Sequence, residues 1–170
     1  MFKKGDLVLY SVHGICEIDD ICEKTFSYEK REYYTLHPIK EEKLTISIPV
    51  DSDKISILEL LSKEEAQDVV ESFKDSSLGT EWITIDKERG DTYSNVVRYG
   101  KREEVIKVAN TLMRTKIDLE SQGKKFHEKD KKILEDIQKV LFSELAFSLE
   151  ISCDEVKKAI NKNVKEEKIS

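Results

Sequence analysis

The side chains best equipped for chemistry in this 170-residue chain are few: His13, His37 and His127, Cys16, Cys22 and Cys153, and a single tryptophan, Trp82. The histidines fall in unrelated segments with no pair at metal spacing, so they read as satisfied or exposed turn residues. Cys16 and Cys22 lie in one extended run, where strand parity turns both to the same side, but further ligands for a metal are lacking. Three scattered thiols do not make a disulfide framework and read as small buried groups in a reducing compartment. There is no Gly-rich phosphate loop, Walker lysine or Gly-x-Ser-x-Gly elbow. The expectation is a protein that is not an enzyme, with no catalytic residues, no metal and no cofactor.

Trp82 is more informative. It stands at the end of a connector, Lys74–Thr80, that has no clear period, and the most basic part of the chain follows it. Two readings are open. The indole either pins the connector onto neighbouring helices or serves as an amphipathic wedge that stacks on, or inserts beside, a base in an opened groove. Phosphate contacts for the second reading would come from Lys87, Arg89, Arg98, Lys101, Arg102, Lys124, Lys125, Lys131 and Lys132. Residues 1–70 hold 9 Lys/Arg against 15 Asp/Glu, whereas residues 86–146 hold 14 against 12. The net charge of −6 excludes a strongly basic nucleic-acid binder. Any DNA affinity of the isolated chain should be weak and salt-sensitive, because acids are interleaved with the bases.

The elements that must hold these residues change period near residue 60. Leu7–Val12, Ile15–Cys22, Arg31–Leu36, Lys43–Ile48 and Ile55–Ile57 read as strands, with Glu23-Lys24-Thr25 as a polar loop. Ile21–Ser27 is expected to offer an exposed strand beside Leu44–Ile48. Five short strands in under sixty residues suggest a small antiparallel Tudor- or SH3-like barrel. Beyond it, Ser62 and Glu65 form a capping box that opens a helix to about Phe73. A second helix starts near Asp86 and ends before Gly100. Val105, Val108, Ala109, Leu112 and Met113 stripe a third, which ends before Gly123, and Ile133, Ile137, Val140, Leu141, Leu145 and Leu149 stripe a fourth. Ser152 and Glu155 cap a fifth, with Val156, Ala159 and Ile160 on its inner face, and the tail Asn163–Ser170 should fray.

Residues 144–161 approach the apolar spacing of a helix-turn-helix. Glu150, however, stands where such motifs turn on glycine, and the second helix has no arginine, so a packed helix corner is the better account. The fold class is α+β, a small β-barrel over 1–58 followed by an all-α bundle of about five helices over 62–170. No apolar run approaches the ~18 residues that span a bilayer, and no apolar stretch follows Lys3-Lys4, so a cytoplasmic protein without membrane contact is expected.

These features resemble the CarD/CdnL family of bacterial transcription regulators. The resemblance rests on Phe2-Lys3-Lys4-Gly5-Asp6-Leu7-Val8-Leu9-Tyr10 with His13-Gly14, on Glu32-Tyr33-Tyr34-Thr35-Leu36, and on Leu44-Thr45-Ile46-Ser47-Ile48-Pro49-Val50. Further on it rests on Trp82, Gly100-Lys101-Arg102-Glu103-Glu104-Val105, the run Glu128–Leu134 and Ser143-Glu144-Leu145-Ala146. The N-terminal pieces are shared with the polymerase-interacting module of transcription-repair coupling factors, and the C-terminal set separates the two. The resemblance implies a Tudor-like domain that docks on the β subunit of RNA polymerase, with Lys24, Phe26 and Ser47 at the contact positions. It implies a helical domain that contacts promoter DNA at the upstream edge of the bubble, stabilising the open complex, with Trp82 as a minor-groove wedge and Lys131 at a basic contact position. Lys87, Arg89, Lys125 and Lys132 complete the expected DNA-facing set. A monomer bridging polymerase and DNA is the leading expectation, and a protein–protein adaptor without direct DNA contact is the alternative.

Overall fold

Period-two alternation over the first sixty residues gives five antiparallel strands: β1 (Leu7–Tyr10), β2 (Gly14–Phe26), β3 (Glu29–Pro38), β4 (Ile46–Pro49) and β5 (Ile57–Glu59). The computed structural model describes residues 1–52 and 57–166. The strands lie in the order β4-β3-β2-β1-β5. One face buries Val8, Cys16, Ile18, Tyr34, Leu36 and Ile48 as the core of a unit that covers Met1–Leu60. Burial raises the Cys16 thiol to about 11, so it stays protonated.

The expected strands Leu7–Val12 and Lys43–Ile48 are trimmed, the first ending at Tyr10 and the second starting at Ile46, and β2 departs in two further details. Glu23-Lys24-Thr25 is strand, not loop, because β2 and β3 pair residue for residue from Asp20 to Phe26 as a long hairpin. Its two-residue turn, Ser27-Tyr28, has both residues at positive φ, 51° and 67°, the twist that suits a tight hairpin. A bulge between Ile18 and Asp20 inserts Asp19 and breaks the parity of β2. Cys16 therefore faces the core, while Cys22 points to the opposite side with its Sγ 3.8 Å from Thr35 Oγ1. In the fifth run, Ile55 and Ser56 lie outside the described residues.

The 3.6-residue stripes then build α1 (Lys63–Ser72), α2 (Asp86–Tyr99), α3 (Arg102–Ser121), α4 (Glu128–Leu149) and α5 (Cys153–Glu166). Both serine capping boxes form. Ser62 Oγ accepts from the Glu65 amide at 3.1 Å and Glu65 Oε2 from the Ser62 amide at 2.8 Å; Ser152 and Glu155 repeat this at 3.1 and 3.2 Å. Leu112, Ile137, Leu145, Val156 and Ile160 meet Ala66, Val70 and Tyr93 in one core within Leu61–Ser170. No helix among the described residues is long and apolar enough to cross a membrane.

Polar side chains cross-link this core. Glu144, fully buried, accepts from Arg102 Nε at 3.0 Å and Nη2 at 2.7 Å and from the Leu61 amide at 3.3 Å. Burial pushes its carboxyl up in pKa and the Arg102 charge pulls it back. Arg102 is thus engaged within the bundle, which removes it from the residues read as phosphate contacts. Asn163 donates to the Val70 carbonyl at 2.8 Å, so the expected fraying does not begin there: α5 stays helical through Glu166 with Val164 buried. The last four residues of that tail lie outside the described residues.

Two helices end alike. After α3, the Lys124 amide donates to the Leu119 carbonyl at 2.8 Å and Gly123 takes φ 69°; after α4, the Ile151 amide donates to the Ala146 carbonyl at 3.1 Å and Glu150 takes φ 57°. Both are Schellman closures, but only the first places glycine at the left-handed position. Glu150→Gly should therefore stabilise the protein by about 0.5–1 kcal/mol, since the left-handed cost outweighs the added chain entropy. A thermal melt checks this, with a raised Tm expected.

Candidate functional site

The connector between α1 and α2 carries Trp82, and side chains of α2 and α3 supply the hydrogen bonds its irregular backbone needs. Asn110 donates to the Asp75 carbonyl at 3.2 Å. The Thr111 hydroxyl accepts from the Thr80 amide at 2.9 Å and donates to its carbonyl at 3.3 Å. Gly79 permits this approach, as a Cβ there would lie 2.8 Å from Thr111 Oγ1. The Tyr93 hydroxyl donates to the Glu81 carbonyl at 2.8 Å, and Arg89 Nη1 to the Ile83 carbonyl at 2.9 Å. Trp82 is thereby flanked on both sides by tethered backbone.

Arg89 is the centre of the arrangement. It is 2% exposed. Its Nε and Nη2 donate to Asp130 Oδ1 and Oδ2 at 3.0 and 2.6 Å, and Nη2 also donates to Asp86 Oδ1 at 2.8 Å. Its guanidinium carbon lies 4.2 Å from the centroid of the Trp82 ring, and Tyr93 meets that ring edge-on at 6.5 Å. Trp82 as a residue remains 39% exposed. It is neither a core tryptophan nor a free side chain: one face rests on a cation and part of the ring meets solvent.

This corrects the expectation that Arg89 faces DNA. Its donors are taken by two carboxylates and a carbonyl inside the protein. The other basic residues divide. Lys125 lies 3.5 Å from Glu128 and Lys132 3.0 Å from Asp136, both at the surface, and the Asp136 hydrogen bond raises the Lys132 pKa. Lys87 and Lys131 are exposed, with no side-chain ion pair among the described residues. Lys131 and Lys132 directly follow Asp130, so the Arg89–Asp130 bond ties the tryptophan to the turn of α4 that carries them. Asp86, Asp130 and Tyr93, none of which the sequence reading singled out, build the site.

On the sheet, Lys24 Nζ donates to Ser47 Oγ at 2.8 Å, and Phe26, 55% exposed, meets Tyr33 edge-on at 5.3 Å. All three expected contact residues thus share the face opposite the core. Strand β3 lies between β2 and β4, contrary to the expectation that they are neighbours. From Asp20 to Phe26, β2 pairs with β3 on one side and with no described strand on the other, so its outer edge is open. His37 sits on the same face, with Nδ1 at 2.7 Å and 2.9 Å from the Asp19 carboxylate oxygens and Nε2 3.9 Å from Glu17. Among the described residues no group of three His, Cys, Asp or Glu could hold a metal ion.

Two expectations follow from these ion pairs. Arg89→Met leaves Asp130 buried and unpaired and should cost about 3–5 kcal/mol, whereas adding Asp130→Leu should recover most of it; thermal melts of both variants decide. The Asp19 hydrogen bond, followed by the charges of Asp19, Glu17 and Glu42, raises the His37 pKa above its ordinary value. The bound proton then stabilises the folded sheet below the unfolded pKa of about 6.5, and that contribution is lost as pH rises through the raised folded value. His37→Gln should flatten this part of the stability–pH curve.

Residues 2–60 match the family model of the CarD-like/TRCF RID domain, which coincides with the sheet unit. The chain is also 27% identical over 149 residues to "Putative transcription factor YdeB" of Bacillus subtilis (strain 168), an overlap covering 85% of this chain and 90% of that protein. Together, the domain match on the sheet unit and a relative alike through both units bear out the resemblance of this chain to the CarD/CdnL family.

Proposed function

We propose that this protein is a monomeric, non-enzymatic transcription regulator that binds the β subunit of RNA polymerase through its sheet unit. Its helical unit then contacts promoter DNA at the upstream edge of the bubble and stabilises the open complex. The RID-domain match and a relative named as a transcription factor support a transcription factor with a polymerase-interacting domain. The open edge of β2 suits docking by strand addition, with Lys24, Phe26 and Ser47 on the adjoining face.

The observation that carries the DNA-contacting part is the half-exposed Trp82, presented on a buried cation instead of being packed into the core. An amphipathic ring held at the surface can fill the gap left by an unstacked step, which costs a few kcal/mol to open. A chain of net charge −6 binds DNA weakly by itself, but docking on polymerase raises its effective concentration at the promoter.

Trp82→Ala tests this directly. It loses a partly exposed cation–π contact, so the melt should fall by only about 1–2 kcal/mol, polymerase binding should persist, and open complexes should become short-lived. A variant with normal open-complex lifetimes sinks the proposal. Lys131→Glu should weaken association with the polymerase–promoter complex and flatten the log–log salt slope by about one, with stability unchanged within ~0.5 kcal/mol. Salt-independent association that ignores the DNA would favour the adaptor reading.

A further inference from the structure

The contacts around Trp82 say more than that it is exposed; they say how it can meet a base. A side chain that inserts between two stacked base pairs needs both faces of its ring free, because each face takes one neighbour. Here one face is already occupied. The Arg89 guanidinium lies 4.2 Å from the ring centroid, and it cannot swing away without abandoning Asp130, Asp86 and the Ile83 carbonyl together. Tyr93, 1% exposed, closes part of the ring from the side. The backbone on either side of Trp82 is tethered through Glu81 and Ile83, so the connector cannot carry the ring outward as a free arm.

We infer that Arg89 is a positioning residue that closes one face of Trp82, leaving a single-faced platform on which one unpaired DNA base stacks. Trp82 then caps the end of an opened strand instead of intercalating between two pairs. This rests on the DNA-contacting reading above and specifies its geometry. Stacking on an aromatic ring is tolerant of base identity, since every base has a π-face. The platform therefore reads whether a base is free, not which base it is. A closed duplex offers no such face except at its ends. Lys131, exposed and next to Asp130 in the chain, is the cation that the Arg89–Asp130 bond ties to the platform, available to a phosphate.

Trp82 is the only tryptophan of the chain, so its emission, selectively excited in the full-length protein, reports this ring alone. Three DNA probes at low salt separate the possibilities: a forked duplex with an unpaired base at the junction, the same fork with an abasic site there, and the fully paired duplex. Binding is followed in parallel by anisotropy of labelled DNA. The base-bearing fork should quench Trp82 and bind more tightly than the abasic fork by about 5- to 160-fold, the span of one base–aromatic stack. The paired duplex should behave like the abasic fork. Equal binding and quenching by all three probes would overturn the single-base platform while leaving DNA contact intact. No anisotropy change with any probe at low salt would instead overturn the DNA-contacting reading, and the inference with it.

The role of Arg89 is read from the same comparison. The double variant Arg89→Met/Asp130→Leu removes the cation and its partner without stranding a buried charge. It should lose the fork-over-abasic preference, with residual lysine-driven binding retained. Arg89→Lys, which keeps a cation but lacks the planar fork, should recover part of the preference and serves where the double variant melts at too low a temperature. An undiminished preference in either variant overturns the positioning role, because a merely structural residue would shift the melt and leave the base dependence alone.

Discussion

The helical unit turns on one buried ion pair. Arg89 and Asp130 lie on different helices and meet in a two-point contact that sets which turn of α2 faces which turn of α4. Taking both charges out of water costs several kcal/mol, and the cost is offset only when every polar atom finds a partner. Asp86 and the Ile83 carbonyl complete that requirement. The pair therefore contributes little net stability compared with an apolar pair of similar size. What it gains is placement: a hydrogen-bonding fork has one favourable register, whereas apolar stripes can slide. The connector hangs from the same arginine, so the position of Trp82 follows from the helix pairing.

The helical half of the fold was legible wherever local physics decides it. Capping boxes at Ser62 and Ser152 and apolar stripes at 3.6-residue spacing mark helix starts and inner faces, and the structure keeps both. The strands were less so. Glu23-Lys24-Thr25 has the composition of a loop, yet it is strand because β3 pairs with it, and no local signal reports a partner strand. The bulge at Asp19 likewise reverses the parity that would put Cys16 and Cys22 on one side.

The candidate site was half legible. A lone tryptophan before a basic stretch is visible in the sequence; the fate of Arg89 is not, since its partner is 41 residues away. A signal was nonetheless present. Arg89 stands at helical spacing from Tyr93 and Val96, and Asp130 from Ile133, Leu134 and Ile137, so opposite charges occupy the apolar stripes of two helices. A charge on a buried stripe must be paired. Arg102, three residues before Val105, and Glu144, beside Leu141 and Leu145, repeat the pattern. Basic residues on an inward stripe belong to the framework, and only those off it, such as Lys87 and Lys131, are left for a partner.

The end of α1 has a consequence for how the bundle opens. Its final carbonyls are bound from far along the chain: Asn163 on α5 donates to Val70, 93 residues away, and Arg114 on α3 donates to Phe73, 41 residues away. A ten-residue helix is too short to persist in water unaided. Its last turn also depends on two side chains that are in place only when α3 and α5 are docked. Fluctuations that release α5 must therefore release α1 as well, although the two lie at opposite ends of the unit in sequence. In amide hydrogen exchange the two helices should belong to a single cooperative opening, not to separate foldons.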